Sequence, residues 1–309
     1  MKLLLIVLTG LLGLGVIAEI GLRLTLGLGN PPLYIADKDI GYLLAPNQKL
    51  RRKGNSIAIN QYSMRDREIQ PQKKANTKRI FLLGDSVVNG SWYTDQSDIL
   101  SNLLANKLKA TKSQQSFEVF NASTNSWGPR NELAYLKRYG LFDADSLILV
   151  INTEDLFSTR ATSAVVGKSY SYPNKPPALA LIELYQLFIA PPRQIPELEQ
   201  LRAQTQENIK GNLSAIKEIK AIADRANVKF VLVLTPLMKE FKEGSTADEQ
   251  QARDNLQKLA TAENIDYLDF LEIWSDFPQP EFLYRDRIHP SPQGNTKIIE
   301  QLASIIERS

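Results

Sequence analysis

The chain has 309 residues, 43% of them apolar, and a formal charge of +3. That is enough apolar content for a sizeable core and too little excess charge to mark a nucleic-acid partner. It has no cysteine and one histidine, which excludes thiolate chemistry, cysteine-ligated zinc, iron–sulfur clusters and any metal site built from several imidazoles. No cofactor is implied.

The chain opens on an apolar run from Leu3 to Ala18 behind the charge of Lys2. Such a run suits the central region of a signal peptide or the core of a membrane helix, and both imply export. Cleavage after Ala18 is compatible with the small residue there. The apolar pattern resumes through Leu28, however, with Glu19 and Arg23 one helical turn apart and able to pair, so a retained anchor over residues 1–28 is the preferred reading. Residues 29–78 are polar and turn-rich and read as a connecting segment with short strands. The basic runs Lys49–Lys53 and Lys73–Arg79 carry no interleaved aromatics for base stacking, so they read as solvated or lipid-facing surface.

A regular alternation begins after that. Strand-like runs lie at 79–85, 117–123, 146–152, 228–236 and 265–270. Helical stretches fall at about 97–111, 130–139, 194–226, 246–263 and 292–307. This predicts a three-layer α/β/α domain over 79–309 with a central parallel five-stranded sheet, and functional groups at the C-terminal ends of its strands. The stretch 156–195 mixes Pro, Tyr and apolar residues and breaks the rhythm. It reads as an insertion, either a lid or substrate wall or an ordinary surface excursion.

Two short motifs carry chemistry. Gly84-Asp85-Ser86 stands where the first strand of the domain turns toward a helix, which exposes a serine hydroxyl. Serine is a poor nucleophile until a base takes its proton. Asp286-Arg287-Ile288-His289-Pro290 precedes the last helix and contains the lone histidine. A carboxylate three residues before an imidazole can hold it in one tautomer while the other ring nitrogen faces the serine. One histidine suffices if its task is general base; a hydrogen-bonded structural histidine at a helix start is the plainer alternative.

Together with the turns after the second and third strands, these motifs resemble the SGNH or GDSL hydrolase superfamily, of the membrane-anchored bacterial type, over residues 79–309. The resemblance implies Ser86 as nucleophile, His289 as base and Asp286 as its orienting acid, with no cofactor and no metal. It implies an oxyanion hole formed by the Ser86 N–H, by Ser126 where the family has a glycine, and by Glu154 where the family has an asparagine. An ionised carboxylate cannot donate a hydrogen bond and would oppose the oxyanion, so either Glu154 is protonated, or the turn shifts so that Asn152 serves as the alternative donor, or the site is weakened. Three functions fit: an exported serine esterase removing O-acyl groups from lipid or surface glycan, an O-acyltransferase using the same triad on an extracellular polysaccharide, or a catalytically impaired scaffold that binds glycan through Trp92, Tyr93, Trp127, Tyr170 and Tyr172. The expected location is extracytoplasmic, anchored through the N-terminal helix, or secreted if cleaved.

Overall fold

A computed structural model describes residues 1–112, 115–202 and 205–308. The first helix, α1 (Lys2–Gly21), is continued by a π turn to Leu26, and none of its side chains is buried. Two antiparallel hairpins follow: β1 (Tyr34–Asp37) with β2 (Gly41–Leu44), and β3 (Gln48–Arg52) with β4 (Asn55–Ile59). The central sheet is formed by β5 (Thr77–Gly84), β6 (Ser116–Ser123), β7 (Ser146–Asn152), β8 (Lys229–Thr235) and β9 (Asp266–Asp269), in the order β6-β5-β7-β8-β9 with every pair parallel. The remaining helices are α2 (Ser86–Asn89), α3 (Leu100–Thr111), α4 (Pro129–Tyr139), α5 (Ala180–Phe188), α6 (Pro196–Arg202), α7 (Thr205–Arg225), α8 (Met238–Lys242), α9 (Ala247–Ala262), α10 (Phe270–Ser275) and α11 (Pro292–Glu307).

The inner strands β5, β7 and β8 read as near-continuous apolar runs because both faces of the sheet are covered. Alternate side chains divide between two cores. Phe81, Leu83, Leu149 and Leu232 pack with α4, α7 and α9, whereas Leu82, Ile148, Val150 and Val231 pack with α3, α10 and α11. Tyr34, Tyr42, Leu44, Ile57 and Met64 from the hairpin region enter the first of these cores. The same region supplies Arg65, which is fully buried and donates to the carbonyls of Asn89, Ser91 and Thr94, clamping the loop that leaves α2. Burial pulls the Arg65 guanidinium down to about 10.

The chain runs from β5 to β6 on one side of the sheet and then to β7 on the other, so a crevice opens outside the C-terminal ends of β5 and β7. The sheet is thus the parallel five-stranded one expected, with small shifts of boundary. The helix expected from residue 97 starts at Leu100, because Gln96–Asp98 forms a 3-10 turn capped by Asp95. The helix expected across 194–226 is found as α6 and α7, and residues 203 and 204 between them lie outside the described part.

Gly84 ends β5 directly beside β7. A β-carbon there would lie 2.6 Å from the Val150 carbonyl oxygen and 2.6 Å from Val88 Cγ2. The carbonyl belongs to the paired strand and cannot withdraw without breaking the ladder. Gly84→Ala should therefore cost about 1–3 kcal/mol, read as a lowered melting temperature by circular dichroism; an unchanged temperature would contradict the close approach.

Candidate active site

The turn after β5 is built by Asp85. Its side chain caps α2, accepting from the Val87 N–H at 2.8 Å, and Gly90 ends that four-residue helix in the left-handed region. Ser86, first residue of α2, thereby lines the crevice. The hydroxyl stands at the C-terminal edge of the sheet, where side chains from several loops can converge on it.

His289 reaches Ser86 from the loop before α11. Its Nε2 is 2.9 Å from Ser86 Oγ, and its Nδ1 is 2.8 Å from Asp286 Oδ2 and 3.0 Å from Oδ1. The loop is closed on itself: the Arg285 N–H donates to the His289 carbonyl and the Ser291 N–H to the Leu283 carbonyl, both at 2.8 Å. Asp286 Oδ1 also accepts from the Ile288 and His289 N–H groups, each at 2.9 Å. Partial burial works against ionisation of Asp286, but these two donors and the imidazole outweigh it and hold the carboxyl below its ordinary range. With Nδ1–H directed at a carboxylate, Nε2 is left as the acceptor for the serine proton.

Beneath Ser86 lies a group of acids that sequence reasoning did not single out. Asn152 Nδ2 donates to Asp85 Oδ2 and to Asp155 Oδ2, each at 2.9 Å, and Asp155 Oδ2 accepts from the Asn152 N–H at 2.8 Å. Glu132 of α4 is fully buried, and neither of its carboxyl oxygens has a hydrogen-bond partner among the described residues. Burial pushes Asp85 up despite its N–H donors and the nearby imidazole. Asp155 is pushed well up by burial and then by the charges of Asp85 and Glu132, and Glu132 by burial and then by Asp85. These carboxyls cannot all ionise together, and Glu132 has no donor to stabilise its charge.

This arrangement corrects the reading of Asn152 as an oxyanion donor. Both its amide protons are already given to carboxylates, and its Oδ1 accepts from the Glu154 N–H at 2.8 Å. The 3-10 turn from Thr153 to Leu156 is fixed from behind by a buried charged network. Thr153 Oγ1 donates to Glu240 at 2.7 Å, Arg253 donates to Glu240 at 2.9 Å, and Arg253 also pairs with Asp269.

Glu154 pairs with Arg287, from the same five-residue motif as His289, and both line the crevice. Ser126 also lines it, in the left-handed conformation with φ 61°. That backbone region favours glycine, so the serine is strained there. Its Oγ accepts from the Tyr172 hydroxyl at 2.9 Å, and Tyr172 packs edge-on against Tyr34 and at a tilt against Tyr42, with centroids 5.0 and 4.8 Å apart. The crevice has a volume of about 800 Å³.

Of the five aromatics named for a glycan platform, Tyr172 lines the crevice. Trp127 is 1% exposed and donates from Nε1 to the Tyr42 carbonyl, so it cannot stack on a sugar. Trp92 packs partly buried against the core. Tyr93 lies beneath Lys53 and Tyr170 beneath Arg193, at 4.6 and 4.4 Å to the ring centroids. None of these three is among the residues lining the crevice.

A family model described as GDSL-like lipase/acylhydrolase matches residues 82–297. Curated protein sequences give no match. Similar solved structures include an acetyl xylan esterase, AlAXEase, with 15% identity over 74% of this chain and 99% of that one and a TM-score of 0.48. Others are a lipase/acylhydrolase from Enterococcus faecalis, with 14% identity, 74% and 95% coverage and a TM-score of 0.45, and LAE5, an alpha/beta hydrolase enzyme from the metagenome of Lake Arreo, Spain, with 14%, 74%, 94% and 0.47.

Glu132 gives a test of the buried acids. A carboxyl raised by folding binds its proton more tightly in the folded chain, so its stabilising share is complete below the ordinary value of 4.5 and is lost as pH climbs toward the folded value. Glu132→Gln has the same shape and no such loss. Its melting temperature should match the parent in acid and exceed it by a margin that widens as pH rises above 4.5; a margin independent of pH would show that Glu132 is not held protonated.

Proposed function

Because the chain belongs to the GDSL-like lipase/acylhydrolase family, we propose that it is an exported, membrane-anchored serine esterase that removes O-acyl groups from lipid or surface glycan. The observation that carries this reading is the continuous relay from Ser86 Oγ through His289 to Asp286, 2.9 and 2.8 Å per link, at the edge of an 800 Å³ crevice. His289 Nε2 takes the hydroxyl proton as Oγ attacks the acyl carbon, and Asp286 stabilises the imidazolium that results. The imidazolium then protonates the departing alkoxide, leaving the acyl group on Ser86. Water, deprotonated by the same nitrogen, attacks the acyl carbon in the second step, releasing the carboxylic acid and restoring the serine.

The backbone N–H groups of Ser86 and Ser126 supply the oxyanion donors in this mechanism. Neither Asn152, whose amide is spent, nor Glu154, an acceptor, adds a third. Arg287 offsets the Glu154 charge, which would otherwise oppose the charge growing on the acyl oxygen. The exposed pair does little for stability, so its value lies in the field it sets at the crevice.

The anchor is α1 with the turn that follows it. Residues Lys2–Leu26 form a helix with a stretch of mean hydropathy 2.5 that no part of the protein covers. A helix of about 20 residues is about 30 Å long, the thickness of a bilayer core.

A fluorophosphonate should label Ser86, located by peptide mass spectrometry. Ser86→Ala and His289→Ala should each lower turnover of a small acetyl ester by about three to four powers of ten, and Asp286→Asn should come close by favouring the wrong tautomer. Full activity in a Ser86→Ala preparation overturns the serine mechanism. Arg287→Ala should lower kcat about three- to tenfold, and adding Glu154→Gln should restore most of it, since the charge left unpaired is then gone. Additive losses in the double variant would mean that Arg287 acts otherwise than by balancing Glu154.

A further inference from the structure

Just beyond α1 the protein exposes a second apolar surface. In α5, Ala180 and Glu183 face inward, while Leu181, Ile182, Tyr185, Leu187 and Phe188, with Ile189 after the helix, are 36–71% exposed. A soluble surface rarely carries so dense an apolar patch without a partner.

The position of α5 names the partner. Glu19, on the last turn of α1, accepts from the Ala180 N–H at 2.8 Å and the Leu181 N–H at 3.1 Å, so it caps α5 from the anchor helix. Arg23 pairs with Glu19 at 2.6 Å and donates to the Ala178 carbonyl at 3.3 Å. On the inner side Glu183 forms a buried pair with Arg52 of β3. The start of α5 is thereby bolted to the end of α1.

The β3–β4 hairpin stands at the same level. The Lys53 N–H donates to the Leu26 carbonyl at 2.9 Å, and Arg52 donates to the Gly27 carbonyl at 2.7 Å. Lys49, Arg51 and Lys53 on it are exposed. Apolar side chains and cations around the foot of one apolar helix match the two layers of a bilayer surface, acyl chains beneath anionic headgroups.

Resting on the anchor reading above, we propose that α5 is a second membrane contact: it lies in the interface of the bilayer that holds α1, with the basic β3–β4 hairpin against anionic headgroups. The residues after α5 then acquire a task. Pro192, Arg193, Ile195 and Leu198 line the same crevice as Ser86 and His289, so a wall of the site is carried on the membrane-contacting segment. The crevice opens beside the lipid surface, and the acyl ester it takes is one borne by the membrane or held close to it.

The absence of cysteine from the chain makes single labels specific. The full-length protein is reconstituted into vesicles of mixed zwitterionic and anionic phospholipid carrying a nitroxide quencher at headgroup depth. A polarity-sensitive fluorophore is placed in turn at Leu12→Cys, Phe188→Cys and Lys258→Cys, the last on an exposed face of α9. The Phe188→Cys label should emit to the blue and lose most of its fluorescence to the quencher, while the Lys258→Cys label keeps its own. A Phe188→Cys label as unquenched as that at Lys258→Cys, in vesicles where a Leu12→Cys label reports a lipid environment, overturns the contact and leaves the anchor standing. If the Leu12→Cys label itself reports water, the anchor reading fails, and quenching at Phe188→Cys alone would make α5 the membrane contact in its own right.

Discussion

The site depends on one shared amide. Asn152 at the end of β7 gives one proton to Asp85 at the end of β5 and the other to Asp155 in the following turn. Two strand ends are joined by a donor that two buried acids share, so the geometry and the protonation of the group are settled together. Asp85 is also the cap that starts α2 and sets the orientation of Ser86. A shift of the Asn152 amide would therefore reach the serine through a single residue.

The rim solves a different electrostatic problem. Its charges are near solvent and are balanced by opposite charges. Glu154 and Arg287 do this across the crevice, and Arg287 is two residues from the imidazole. The loop that carries both is pinned by a pair of backbone hydrogen bonds and by the Tyr284 hydroxyl, which donates to the Pro236 carbonyl at 2.6 Å. His289 and Arg287 are consequently held on one closed loop.

The same kind of constraint links the N-terminal helix to the domain. The carboxylate of Glu19 satisfies the open N–H groups of α5, and the buried pair of Glu183 with Arg52 ties α5 to a hairpin more than a hundred residues earlier in the chain. The N–H groups at a helix start need acceptors, and here the acceptor comes from the apolar N-terminal helix. The placement of α1 against the domain is thus built from short-range polar contacts.

Much of this was legible in the sequence, because it depends on periodicity and on motifs that are local. The five apolar strand runs, the alternating helices and the apolar first segment announce themselves by pattern. Ser86, Asp286 and His289 stand in short stretches whose spacing suggests their chemistry. What required the tertiary structure was every contact between distant segments: the pairing of Glu154 with Arg287, the spending of the Asn152 amide on two acids, the burial of Trp127 and the unpaired carboxyl of Glu132. A residue type reveals what a side chain could donate or accept, whereas the fold decides which partner reaches it first. Asn152 remained an open donor in the sequence for that reason, and became an occupied one only when β5 and β7 were laid side by side.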